Sequence, residues 1–266
     1  MASAPTLPPA NDPGPPPEEI SYLSQLCYFG DLDDKAVHTA FRNSLEAFEQ
    51  NGRSLRELWP VLLSAVQSAR PHIIKLLLSR GLEMNEMYIK QAIQTRSKEV
   101  FQAFLESGWD VNMLWDNFHP PILACFVENL DFTQWFLERG ANLDAGCYLD
   151  LTPLSFAVRR AQPSIVNVLL DRGSVEKGQL VHHAVERSED EVKILEMLVS
   201  RGASLDKYNT PSTWTLGIMS TSKAWVLHCT ERWGADQNMK DTKGRTPLYI
   251  ARDVGDADLI RLFESS

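Results

Sequence analysis

Asp241-Thr242-Lys243-Gly244-Arg245-Thr246-Pro247-Leu248-Tyr249-Ile250-Ala251 spells a tight turn followed by a short helix. Gly244 tolerates positive φ, so Asp-Thr-Lys-Gly predicts the turn. Thr246 can cap a helix by accepting a backbone N–H, and Pro247 suits the first helical position, where no N–H is needed. Leu248 and Ala251 fall three apart, on one face. Gly255 predicts the helix end. A second helix then runs from Asp256 to Phe263, with Leu259, Ile260, Leu262 and Phe263 on its apolar side. The unit is turn, helix, reversal, helix.

Weaker copies recur upstream. A second-helix ending closed by glycine appears as Leu77-Leu78-Ser79-Arg80-Gly81 and again at Gly108, Gly140, Gly173 and Gly202, with Gly234 closing a degenerate copy. The spacings are 27, 32, 33, 29 and 32 residues. A small residue recurs in each first helix, at Ala65, Ala92, Cys125, Ala157, Ala184, Gly217 and Ala251. It lies 15 to 18 residues before its glycine where a glycine follows. A short helix that packs tightly on its neighbours has room for Ala, Cys or Gly and none for Leu. The glycine has a different reason: the chain reverses after the second helix, and positive φ favours Gly.

These residues resemble the ankyrin repeat, whose pattern is a turn with Asp and Gly, then Thr-Pro-Leu-His-x-Ala, then Gly, then a second apolar helix. The C-terminal copy keeps all of it except the His, which is Tyr249. Leu151-Thr152-Pro153-Leu154-Ser155-Phe156-Ala157 is a good match and Pro120-Pro121-Ile122-Leu123-Ala124-Cys125 a fair one. His182 occupies the motif histidine, which in the family ties a first helix to a neighbouring turn. Ser212 to Gly217 is degenerate. The units ahead of Ala92 and Ala184 are short, which predicts reduced hairpins. The fold class implied is all-α: a solenoid of about seven stacked helix–turn–helix units, near a family period of about 33 residues. An atypical N-terminal helical cap precedes them.

Residues 1–18 hold seven of the fifteen prolines and have little to bury, which predicts a disordered or polyproline-like tail. Residues 19–53 are helical in pattern, with Phe41, Leu45 and Phe48 at helical spacing, and are read as a capping region. The repeats fill 54–266. A second docking role for the N-terminal helices stays open.

The net charge of −9 and pI near 5.2 oppose general nucleic-acid or anionic-membrane binding. Four scattered cysteines with no Cys-x-x-Cys predict reduced thiols and a cytoplasmic or nuclear location. No apolar run is long enough to span a bilayer, and the N-terminus lacks a signal-peptide pattern.

Little in the chain points to catalysis. Gly173-Ser174-Val175-Glu176-Lys177-Gly178 lacks the Lys-Ser/Thr of a phosphate loop and reads as an inter-repeat turn. His182 and His183 are adjacent on a helix and point about 100° apart, so they read as structural. Asp31, Asp33 and Asp34 lack the glycine and Glu of a calcium loop. Ser188-Glu189-Asp190-Glu191 reads as a turn feeding a helix N-terminus. No catalytic residue, cofactor or metal is expected.

The resemblance implies that hairpin tips and exposed sides of first helices line a concave face that binds a protein. Carried over position by position, it places Asp116, Asn117 and His119 on one tip, with Val127 and Glu128 behind. Tyr148, Leu149 and Leu151 lie on the next, with Arg159 and Arg160. Tyr208, Asn209 and Pro211 follow, with Met219 and Ser220, then Thr242, Lys243 and Arg245, with Asp253 and Val254. Aromatic residues stand out, because tips in water are ordinarily polar. Trp115 and Phe118 either face solvent or fold onto a neighbouring hairpin; Tyr148 and Tyr208 are expected in solvent. The expected function is a non-enzymatic adaptor or scaffold, monomeric, with a protein partner. A substrate-receptor or assembly-chaperone subunit, or a regulatory arm of an enzyme, is the alternative.

Overall fold

A computed structural model describes residues 18–29, 35–114, 118–204, 236–238, 240–241 and 243–265. Its regular elements are helical; among the described residues there is no strand. Two compact units meet in sequence at Trp109 and Asp110.

In the first unit, α1 (Glu18–Phe29) pairs with α2 (Lys35–Gln50), and a single 3₁₀ turn (Leu55–Leu58) leads into α3 (Trp59–Gln67). Then come α4 (Pro71–Ser79), α5 (Glu86–Thr95) and α6 (Lys98–Glu106). The first helices α1, α3 and α5 stack in sequence, and α4 stacks on α6. Periodicity explains the inward faces. Phe41, Leu45 and Phe48 of α2 are all buried, while Arg42, Asn43 and Glu46 between them are exposed. Ala65 and Ala92 are fully buried where first helices meet, as close approach requires. Caps set the helix starts. Ser54 and Glu57 form a capping box, Asn85 Oδ1 accepts from the Met87 and Tyr88 amides, and Ser97 accepts from Val100. Arg80 Nη1 donates to both carboxylate oxygens of Glu49, at 2.8 and 2.7 Å, tying the end of α4 to α2.

The second unit holds a 3₁₀ turn (Ile122–Cys125), α7 (Leu130–Leu137), α8 (Pro153–Arg160), α9 (Pro163–Leu170), α10 (Leu180–Val185) and α11 (Glu191–Val199). Its C-terminal pair is α12 (Pro247–Val254) and α13 (Ala257–Ser265). Pairs α8/α9, α10/α11 and α12/α13 pack within themselves. The Ile122–Cys125 turn, α8 and α10 form one row, and α9 and α11 another. Thr246 caps α12 through the Tyr249 amide, Pro247 opens it, and Gly255 ends it at φ +76°. Gly244 closes its turn with an N–H bond of 2.8 Å to Asp241 O.

The marker glycines are of two kinds. Gly81, Gly108, Gly140 and Gly202 all have φ between +86° and +99°, with open space where a Cβ would sit. There backbone conformation selects glycine. Gly173 is not among the residues of positive φ. A Cβ on it would lie 2.7 Å from Leu154 Cδ2, so packing selects glycine there.

The third repeat corrects the sequence reading. Cys125 is exposed, not the buried small residue of a first helix; Ala124 is buried instead. Val127, expected on the surface, is also buried. The cause is local. The first helix has shrunk to one 3₁₀ turn, and three residues per turn rotate the positions away from α-helical phase. The proline-rich tail, the Asp31–Asp34 cluster and the degenerate copy around Gly217 and Gly234 lie outside the described residues.

Candidate protein interface

The tip at residues 147–151 is held on every side. Cys147 N–H donates to Leu151 O at 3.1 Å and Asp150 N–H to Cys147 O at 3.0 Å, with Asp150 at φ +54°. Cys147 Sγ lies 3.1 Å from Phe118 O on the preceding tip. On the other side, Gly178 N–H donates to Asp150 Oδ1 and Gln179 Nε2 to Leu149 O, each at 3.3 Å. This scaffold carries Tyr148 with 84% of its surface in solvent, beside Leu149 at 48%. Phe118 is 56% exposed, so of its two readings solvent exposure prevails. His119 is exposed.

Behind the tip, α8 is fixed by a hydroxyl knot. Thr152 Oγ1 caps the helix by accepting from the Ser155 amide at 3.1 Å. Ser155 Oγ donates to Gly178 O at 2.6 Å. Ser155 stands at the motif's histidine position and joins this first helix to the next turn. Two backbone N–H groups of the Gly173–Gly178 loop are already committed to carboxylates. Ser174 N–H is spent on Asp144 Oδ1 at 2.8 Å, and Gly178 N–H on Asp150.

From α8, Arg159 and Arg160 both reach the surface. Arg159 Nε lies 3.3 Å from Glu186 Oε2. The Arg160 guanidinium lies over the Phe156 ring, 4.9 Å from its centroid. Glu186 also faces His183 Nδ1 at 3.3 Å and His182 Nε2 at 3.5 Å. Burial pushes both imidazoles below their ordinary pKa, against the attraction of Glu186. His182 therefore does not hold a neighbouring turn, as its motif position implied. It faces its own helix, and its Nδ1 is buried with no hydrogen-bond partner.

At the C-terminal turn, Lys243 is exposed, but Arg245 is withdrawn from the surface set. Its Nε and Nη2 both lie 2.8 Å from Asp241 Oδ2, so it braces its own turn. Asp253 and Val254 are exposed. Trp115, Asp116, Asn117, Tyr208, Asn209, Pro211, Met219, Ser220 and Thr242 lie outside the described residues. Among the described residues no group of three or more His, Cys, Asp or Glu side chains could hold a metal ion. No described helix is long and apolar enough to cross a membrane.

The chain matches no family model. The ankyrin repeat protein nuc-2 of Neurospora crassa is 30% identical over 153 residues, covering 55% of this chain. That stretch is 14% of nuc-2, so this chain spans a small part of the length of the curated relative it matches. The crystal structure of EF0377, an ankyrin repeat protein, superposes with a TM-score of 0.51 at 17% identity, over 67% of this chain and 96% of that one. The chain has the fold of an ankyrin-repeat solenoid. The ankyrin repeat domain of Bcl-3, a member of the IkappaB protein family, matches over 94% of this chain and 100% of that one, at 23% identity and a TM-score of 0.47. In the ankyrin frame, Tyr148 and Leu149 are tip residues, and Arg159 and Arg160 end a first helix. Sequence reasoning missed Lys177, an exposed cation on the tip after Tyr148. Its signal was present in the run Gly173–Gly178, weighed only as a phosphate loop.

Proposed function

We propose that this chain is a non-enzymatic protein-binding module, an adaptor or scaffold that acts as a monomer. Its partner sits on the face formed by hairpin tips and first helices. Residues 1–18 are a tail, 19–53 a capping region and 54–266 the repeats. The observation that carries this reading is Tyr148, held 84% in solvent on a tip that is hydrogen-bonded on both flanks. A large aromatic ring in water on a rigid support loses little conformational freedom when a partner covers it. Affinity capture with cross-linking from the native cell tests the reading, using wild type, Tyr148→Ala, and Lys193→Ala on the exposed side of α11. The expected result is a cross-linked protein retained by Lys193→Ala and weakened by Tyr148→Ala, with truncation costing about 2 kcal/mol. Equal capture by all three chains would move the interface elsewhere.

A further inference from the structure

We infer that the fourth-repeat surface takes an extended segment of a partner protein in which carboxylates stand beside an apolar or aromatic side chain. The inference rests on the protein-binding reading above and adds the chemistry of what binds.

The charges around Tyr148 are unevenly committed. The carboxylates are occupied: Asp144 accepts from Ser174 N–H, Asp150 from Gly178 N–H, and Glu186 faces Arg159, His182 and His183. Two exposed cations are uncommitted. Lys177 and Arg160 make no hydrogen bond or ion pair among the described residues. Arg160 is nonetheless supported, because its guanidinium carbon lies over the Phe156 ring, 4.9 Å from the centroid. A guanidinium matches a carboxylate with two parallel N–H···O bonds through its planar fork. The surface thus presents apolar area at Tyr148 and Leu149, a point cation at Lys177, and a forked cation at Arg160.

Spacing fixes the shape of the occupant. Tyr148 lies on the tip before α8, and Arg160 ends that helix, about 10 Å from its start at 1.5 Å per residue. An extended chain rises about 3.3 Å per residue, so about three residues run alongside the helix. Glu128, just after the 3₁₀ turn of the preceding repeat, is an exposed carboxylate. It disfavours an anion there and confines the acidic preference to the fourth and fifth repeats.

A random dodecapeptide phage library panned on the full chain tests this, with the enriched peptides synthesised and titrated by fluorescence anisotropy. The expected peptides carry Asp or Glu within about four residues of an aromatic or large aliphatic side chain, in keeping with groove recognition by anchors and flanking charges. Their affinity should fall about tenfold or more in Tyr148→Ala and in Arg160→Glu/Lys177→Glu, each change of ten being 1.4 kcal/mol. It should also fall as salt rises. All three positions are exposed, and an unchanged far-UV spectrum and melting temperature show that the variants fold. Peptides that need Tyr148 but are neutral or basic would overturn this inference and leave the protein-binding reading standing. Acidic peptides indifferent to all three substitutions, or no enrichment, would also overturn it.

Discussion

His183 sits on α10 with 6% of its surface exposed; Nδ1 faces Glu186, and Nε2 is buried with no partner. Charging this ring would add an N–H where nothing accepts it, which is why burial holds its pKa below the ordinary value. The folded state therefore binds fewer protons than the unfolded chain just below pH 6.5. Stability is fully present above the unfolded value and falls as pH drops toward the folded one. His182 shifts the same way. The carboxylates whose pKa is lowered, such as Glu57, Glu99 and Glu106, titrate lower still and leave that window to the histidines. The expected outcome is a urea midpoint that drops between about pH 7 and pH 5.5, with a flatter profile for His182→Gln/His183→Gln. Gly173 offers a second test. An added methyl meets Leu154 Cδ2 at 2.7 Å, so Gly173→Ala should cost about 1–3 kcal/mol by overpacking, and Leu154→Val in the same chain should recover part of it. Gly81→Ala meets no atom and costs about 1–2 kcal/mol through its backbone alone, with no rescue by a neighbour.

Among the elements, α8 shows how a repeat substitutes one chemistry for another. The motif histidine is absent there, and Ser155 makes the link to the next turn through a 2.6 Å bond to Gly178 O. Thr152 and Ser155 are both buried, so removing one hydroxyl strands the others. Ser155→Ala should therefore lower stability by about 1–3 kcal/mol, the penalty for leaving buried polar groups unpaired. Amide hydrogen exchange should show lost protection at Gly178 and the start of α10, which a simple cavity at Ser155 would spare. The third repeat went the other way. Its Pro120-Pro121 looked like a fair motif, yet only one 3₁₀ turn follows before Asn129 caps α7. A local pattern could not reveal this, because the register of Cys125 depends on how tightly the turn winds.

At the scale of the whole molecule, described helix pairs within each unit touch their neighbours in sequence, and the stability of such a stack is close to a sum of repeat and interface contributions. The unit Met1–Trp109 contains three successive helix pairs and its own buried side chains on α1 through α6. About three repeats suffice for a stable stack. A chain cut after Trp109 should therefore retain helical circular dichroism and a cooperative urea transition. A featureless, non-cooperative response would show that its core depends on residues beyond the cut.

Helix periods, caps and closing glycines are properties of neighbouring residues, so the sequence alone determined the repeat architecture. Thr246, Pro247 and Gly255 do what their chemistry requires whatever surrounds them. The surface was legible only in outline. Aromatic residues on tips marked Tyr148, but nothing local tells a cation that is free from one that is spent. Arg159 and Arg160 are neighbours in sequence, yet Glu186 from the next first helix pairs with the first while the second makes no ion pair among the described residues. Tertiary structure decided that difference, because an ion pair depends on which side chains the backbone brings within a few ångströms.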